Sequence, residues 1–416
     1  MKQKSKVVQP KVVQPKVSEH KGKRDKLKVV GGIMVALFFG LALYLRVALP
    51  YDEVFTQGWI KLTSNDAYYY MRIVDNLAHN FPRHMEVDPY CTYPAATGRI
   101  LPTFFMWLLA TIIWVIGLGS PSQHTADVIA AYLPAVLGAL TTIPVYFIGK
   151  ELVGRWAGII AAGLIALLPG EFLGRSILGF TEHHVAEALL TTVAMLFLIK
   201  AIKAAKARKL TFQHIMRQDW QVISKPFIYS LLTGIFLGAY LLTWMGALLF
   251  VFIITVYFII QFISDYLRGR STDYLCLVGT TLFFIALITS LTNPILRGLF
   301  YLIPLIVALF IPLVLSGVSR LMIANKQPAV YYPLSLIGLG LAGVGIFYLI
   351  NPYLIRVMLA AFKVFTPTGA QLTTIEMQPI LFPTGQFTLA LVLGNFSTAL
   401  FLSLVCLGSC LILASS

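Results

Sequence analysis

The sequence predicts an all-α protein that crosses a membrane about ten times, and three observations carry that prediction. Hydrophobic residues make up 58% of the 416, charged residues only 12%, and the mean hydropathy is +0.81, too little polar surface for a water-soluble domain. Apolar runs of about 20 residues, the length that spans the hydrocarbon core as a helix, recur along most of the chain. The basic residues gather in alternate loops between those runs, as a multi-span topology requires.

Residues 1–28 hold the five-residue repeat KVVQPKVVQPKV and then the basic run His20 to Lys28. Proline at every fifth position opposes a regular helix, so a disordered, basic cytoplasmic tail is expected here, resting on anionic lipid. The next run, 29–50, is longer than the apolar part of a signal peptide and lacks a small-residue cleavage site, which predicts an uncleaved first span. Further runs lie at 101–118, 128–148, 156–170, 185–202, 226–242, 246–263, 274–290, 298–316, 329–350 and 388–413.

Charge decides which of these runs cross. If 101–118 crossed, the segment 200–225, with Lys200, Lys203, Lys206, Arg208, Lys209, Arg217 and Lys225, would face outward against the positive-inside rule. With 101–118 kept on the outer side as an interfacial or re-entrant helix, the inner side holds 23 Lys and Arg against 6 Asp and Glu. The outer side then holds 9 against 11. Ten spans with the N-terminus inside are therefore expected. The same topology explains the net charge of +15, and nucleic-acid binding is not expected. Of the four cysteines, Cys276, Cys406 and Cys410 lie in apolar runs and Cys91 lies in a loop, so no disulfide framework or cysteine metal site is implied.

Three loops far apart in sequence now face outward: 50–127, 171–184 and 351–387. They carry Asp66, then Glu182 with His184, then Glu376, so one membrane face can assemble a shared site. Asp66 follows Ser64 and Asn65 ahead of a helix expected through Arg72, Asp75 and Asn76. Glu182 and His184, two residues apart, can hold a divalent cation, because carboxylates suit hard ions and imidazole suits transition metals. The plainer reading is a solvated Asp66, a helix capped by Thr181 or Glu182, and two interfacial histidines. Glu376 lies in Thr373-Thr374-Ile375-Glu376, within a loop of Pro, Gly and Thr whose length is more typical of mobile, functional segments. Arg99, Arg175 and His183 are candidates for binding a phosphate, although arginine at the end of a span also anchors to headgroups.

In order and spacing, Ser64-Asn65-Asp66, Glu182-His183-His184 and Thr373-Thr374-Ile375-Glu376 resemble the two acidic motifs and the mobile-loop glutamate motif of the oligosaccharyltransferase catalytic subunit. Tyr93-Pro94, Gly98-Arg99-Ile100, Pro169-Gly170 and Arg175 to Gly179 also look like that family, and the histidine in the second motif resembles its archaeal members. The resemblance implies a GT-C-like transmembrane catalytic domain over 29–416, in the cell membrane, with its site on the extracytoplasmic face. It implies transfer of an oligosaccharide from a lipid-linked (di)phosphate donor to Asn of an Asn-x-Ser/Thr sequon, with inversion. Asp66 and Glu376 would act on the acceptor amide, and Asp66, Glu182 and His184 would hold Mn²⁺ or Mg²⁺. Arg99, Arg175 and His183 would meet the donor diphosphate.

Glu182 stands where the family more usually has Asp, and no Trp-Trp-Asp acceptor motif occurs. Acceptor recognition is therefore expected from a further C-terminal domain or a partner chain. Two other functions compete: a different polyprenyl-phosphate-sugar glycosyltransferase, which the Thr-Thr-Ile-Glu loop opposes, and a transporter. A transporter would place ionisable groups near the midplane or show an internal repeat, and the runs contain almost no such groups.

Overall fold

The computed structural model describes residues 17–91, 93–95, 103–361, 381, 386–396 and 402–405. Arg99 and the loop carrying Glu376 lie outside these residues, as does most of the last expected span. Among the described residues, twelve helices of eleven residues or more form the molecule. They are α1 (Val17–Ala48), α2 (Asn65–His79), α3 (Phe104–Ile116), α4 (Gln123–Leu140), α5 (Thr142–Leu152) and α6 (Arg155–Leu167), then α7 (His184–Ala207), α8 (Trp220–Thr243), α9 (Leu248–Leu267), α10 (Asp273–Ser290), α11 (Leu299–Ala324) and α12 (Tyr331–Ile350).

Among the described residues, eight stretches are long and apolar enough to cross a bilayer. They correspond to eight of the ten expected spans, with α4 and α5 together forming one 30-residue stretch. That stretch breaks at Thr141 because Pro144 offers no amide to the preceding turn. The hydroxyls of Thr141 and Thr142 donate instead to the carbonyls of Leu137 and Ala139, at 3.0 and 2.8 Å. The expected span at 156–170 is shorter than its apolar run: α6 has 13 residues, ~20 Å of helix. Beyond Leu167 the chain leaves the helix at Leu168, with extended dihedrals, and Gly170 has φ +128°. Glycine lets α6 lie close to α5, since a Cβ on Gly158 would fall 2.5 Å from the Tyr146 carbonyl.

Two segments are more helical than the sequence suggested. Residues 17–28, expected to be disordered, continue α1. The prolines of the repeat end at Pro15, so nothing after it blocks helical hydrogen bonds. In the 351–387 loop, Pro352–Ala361 forms a helix with proline at its first position, where a missing amide is harmless.

Helix α3 returns the chain to the end of the bundle it started from. Phe81, just past α2, stacks on Trp114 at 4.9 Å and meets Trp107 edge-on at 6.2 Å, so α3 runs beside that turn. After α3, the Gln123 side-chain amide donates to Asp75 of α2 at 3.2 Å. At the other end of α7, ~29 Å from His184, Lys203 pairs with Glu151 at 3.1 Å. Lys206 and Arg270 lie 3.8 Å from the buried Asp265, and Arg320 pairs with Asp273 at 3.2 Å. The basic segment 200–225 and the motif residues thus occupy opposite ends of the bundle.

Arg46, at the motif end of α1, is fully buried. Its Nε donates to Ser176 Oγ at 2.8 Å, and Nη1 donates to the carbonyls of Ala42 and Ala166 at 3.2 and 3.3 Å. Its guanidinium lies 5.2 Å from the Phe172 ring centre. One cation thus ties α1, α6 and the 171–178 turn together. Arg46→Ala is expected to cost about 2–4 kcal/mol through lost hydrogen bonds and a new void, read as earlier thermal unfolding in detergent. Unfolding at the wild-type temperature would show that the 171–178 turn holds without this cation.

Candidate catalytic and metal site

Asp66 sits in the first turn of α2, where the exposed amides and positive helix end favour a carboxylate. Ser64 occupies the N-cap with extended dihedrals, but its side chain makes no capping bond. Its hydroxyl instead donates to Glu182 Oε1, 118 residues away. The two acidic motifs are therefore in direct contact.

A short backbone joint sets that contact. The Thr63 amide donates to the Gly179 carbonyl at 3.0 Å, and the Gly179 amide donates to the Ala131 carbonyl at 2.9 Å. Leu178 donates to the carbonyl of Arg46 at 2.9 Å. Gly179 has φ +81°, a conformation glycine adopts without strain. Thr181, a possible helix cap from sequence, donates its hydroxyl to the Ala130 carbonyl at 2.9 Å instead. The N-cap of α7 is His183. Glu182 lies one residue before that cap, at the start of the helix, and is only 5% exposed.

The histidines have separate surroundings. His184 Nδ1 lies 3.1 Å from Glu187 Oε1, while its Nε2 lies 3.2 Å from Glu182 Oε2 and 2.7 Å from Arg175 Nη1. Arg175 can only donate, so a ring with its proton on Nδ1, donated to Glu187, accepts from Arg175 at Nε2 and leaves the Glu182 contact as one between two acceptors. The Nε2 lone pair then faces Glu182 Oε2, a nitrogen and an oxygen donor directed at one point. Glu187 fixes the ring from behind, as a carboxylate beside a ligating histidine does.

His183 turns away from this point. Its ring stacks on Tyr70 at 5.7 Å, with Nδ1 2.6 Å from the Tyr70 hydroxyl and Nε2 3.2 Å from Glu187. Burial first, then the nearby Glu182 and Asp66 carboxylates, push the Tyr70 phenol above its usual range, so it stays protonated and donates to Nδ1. Burial, followed by the neighbouring His184 and Arg175, pulls His183 down to about 3, leaving a neutral ring.

A cavity of about 640 Å³ opens beside these residues. Ser64, Asp66, Glu171, Arg175 and Glu182 line it, and Gly394, far along the chain, completes the wall. Three carboxylates with one guanidinium make a lining that suits a hard or borderline divalent cation together with an anion. Arg175 is held by Glu171, whose carboxylate accepts from its Nε. Of the expected site residues, the structure brings together Asp66, Glu182, His184 and Arg175, and sets His183 behind them. Arg99 and Glu376 lie outside the described residues. A second donor set, His183, His184 and Glu187, has ligand atoms within 4.8 Å of one another. Its members already satisfy one another through the hydrogen bonds above, which fits an orienting role.

The sequence reading missed Glu187, the Tyr70 hydroxyl and the Ser64–Glu182 contact. Glu187 was recoverable: it lies three and four residues after the two histidines, the spacing that brings side chains together on a helix.

Comparison with known proteins now decides the family. The model of the oligosaccharyl transferase STT3 N-terminal family matches residues 36–405. The chain belongs to the STT3 oligosaccharyl transferase family. A Haloferax volcanii protein, dolichyl-monophosphooligosaccharide–protein glycotransferase AglB, is 32% identical over 354 residues, covering 82% of this chain and 33% of that protein. Dolichyl-phosphooligosaccharide–protein glycotransferase 3 of Archaeoglobus fulgidus is 29% identical, covering 87% of this chain and 42% of that protein. The archaeal oligosaccharyltransferase AglB from A. fulgidus, solved with an inhibitory peptide and a dolichol-phosphate, superposes with TM-score 0.78 at 27% identity over 91% of this chain and 44% of that one. This STT3 family chain has the GT-C-like fold expected from the motifs and is a multi-pass membrane protein. It spans less than half the length of these relatives.

Proposed function

We propose that this chain carries the transmembrane catalytic site of an oligosaccharyltransferase, moving an oligosaccharide from a lipid-linked phosphate donor to the side-chain amide of asparagine in an Asn-x-Ser/Thr sequon. The observation that carries this reading is the direct Ser64–Glu182 contact, which joins two acidic motifs at one cavity. The names of the relatives support it, as does the dolichol-phosphate and peptide complex of the A. fulgidus protein. The topology drawn from charge places the cavity on the extracytoplasmic side, where a donor lipid can stay in the bilayer while its phosphate enters from the membrane edge.

We assign a divalent cation to Asp66, Glu182 and His184: Glu182 Oε2 lies 3.2 Å from His184 Nε2, and Asp66 lines the same cavity as Glu182. A related A. fulgidus structure, 25% identical with TM-score 0.65, holds Zn and sulfate. We assign Mn²⁺ or Mg²⁺ to this set; when bound, such an ion supplies Lewis-acid neutralisation of the departing phosphate.

The chain's own residues do the rest. Asp66 and Glu376 accept hydrogen bonds from the acceptor amide NH₂, orienting its nitrogen towards the sugar carbon for inverting displacement and loosening its conjugation. Arg175, pre-oriented by Glu171, receives the phosphate charge on the same side as His184, and Arg99 adds to it from the outer loop. His183 holds Glu187 in place rather than meeting the donor directly. The 351–387 loop closes over bound substrates, and acceptor recognition draws on a further domain or partner chain.

The test is transfer from a lipid-linked oligosaccharide to a fluorescent sequon peptide by the protein purified from its native membrane, with and without chelator. Transfer that stops with chelator and returns with Mn²⁺ is the expected result. Transfer of equal rate in chelator would refute the cation, and absence of any transfer to peptide would refute the reading itself.

A further inference from the structure

One exposed aromatic group lies outside the cavity and has no part in the chemistry above. On α2, Tyr69 and Arg72 follow Asp66 by one and two helical turns. The Arg72 guanidinium lies 5.6 Å from the Tyr69 ring centre and 5.3 Å from that of Tyr90, so one cation sits between two tyrosine rings. Arg72 also pairs with Asp88, whose carboxylate is almost completely buried. Asp88 Oδ1 accepts from the Tyr90 amide at 2.9 Å and Oδ2 from the Cys91 thiol at 3.4 Å. This network fixes the 88–91 turn and both rings, yet Tyr69 and Tyr90 remain 39% and 75% exposed. The group is continuous with the site: Tyr69 meets Tyr70 edge-on at 6.3 Å, and Tyr70 stacks on His183.

We propose that Tyr69, Arg72 and Tyr90 form a sugar-binding subsite that takes the part of the donor oligosaccharide beyond its first residue. The inference rests on the proposed transferase function and locates the glycan within it. Rigid, exposed tyrosine faces suit the C–H faces of a pyranose ring, at little entropic cost. The position fits as well. Arg72 is six residues beyond Asp66, ~9 Å along the helix axis, so a glycan anchored at the cavity by its phosphate reaches it only with later sugars. A membrane-interface belt fits less well, because these rings flank an ion pair. The apolar tip that would meet lipid is at the end of α3, where Val115 and Ile116 are exposed and Leu118 is 93% exposed.

The experiment compares two donors on the same lipid phosphate, one bearing a single sugar and one bearing the organism's full oligosaccharide, in Tyr69→Ala, Tyr90→Ala and Tyr90→Phe proteins. For the alanine variants, KM for the full donor is expected to rise about three- to tenfold, with kcat and the single-sugar KM unchanged and Tyr90→Phe close to wild type. Saturation-transfer NMR with the free oligosaccharide, cleaved from its lipid, should show contact in wild type and lose it in the alanine variants. Equal KM changes for both donors, or no change for either, would overturn the subsite. Unchanged sugar contact in the alanine variants would do the same. If no donor is transferred by wild type, the transferase reading fails, while the NMR contact still decides the sugar site.

Discussion

Glu182→Ala is expected to slow peptide glycosylation by about a hundredfold or more while leaving the protein folded. Glu182 presents Oε2 to the His184 lone pair at 3.2 Å and receives the Ser64 hydroxyl on Oε1, so its removal takes away a ligand and the bridge between motifs. Glu182→Gln keeps the side chain's size and loses its charge, and should fall nearly as far. Glu187→Gln should cost less, about tenfold, because Glu187 orients the histidines without lining the cavity. The measurement is kcat/KM with a fixed donor and a sequon peptide. A Glu187 variant slower than the Glu182 variants would exchange the roles assigned to the two residues.

The second large effect is expected from Gly179→Val. A Cβ at this position would lie 3.0 Å from Val54 Cγ2 and 3.3 Å from Thr63 Cγ2, and the backbone has φ +81°. Left-handed backbone costs an L-residue about 1–2 kcal/mol and forced packing about 1–3 more. Together they amount to about 2–5 kcal/mol. The strain falls on the hydrogen bonds that join Thr63 to Gly179 and Gly179 to Ala131. Thermal stability and activity should therefore fall together. Gly340→Val, at a helical glycine with nothing within 4 Å, should leave the site unaffected. A Gly179→Val protein as active as wild type would show that the joint does not position Glu182.

The spans were legible because each buries or exposes to lipid a continuous apolar surface, which composition reports without knowledge of neighbours. The 13 residues of α3 are apolar enough to pass for a span, and in the sequence only the charge of Lys200 to Lys225 argues for the outer side. The shortness of α6 was not legible, because Leu168 and Gly170 leave the helix through backbone dihedrals that an apolar count cannot register. Asp66, Glu182 and His184 were readable as acidic or imidazole groups in outward loops, but not the joint that unites them. That joint is a backbone bond between Thr63 and Gly179, and no side-chain pattern announces it. Glu187 was overlooked because it stands at the head of an apolar run, where it reads as the start of a span.

The most direct test is Mn²⁺ binding itself, followed by the free-ion electron paramagnetic resonance signal during titration of the purified protein. Wild type is compared with Asp66→Ala, Glu182→Ala, His184→Ala, His183→Ala and Glu376→Gln. The expected result is a loss of affinity of about tenfold or more in each of the first three, with His183→Ala weaker by less and Glu376→Gln close to wild type. Unchanged binding in His184→Ala, or a large loss in His183→Ala with none in Asp66→Ala, would contradict a cation shared by Asp66, Glu182 and His184.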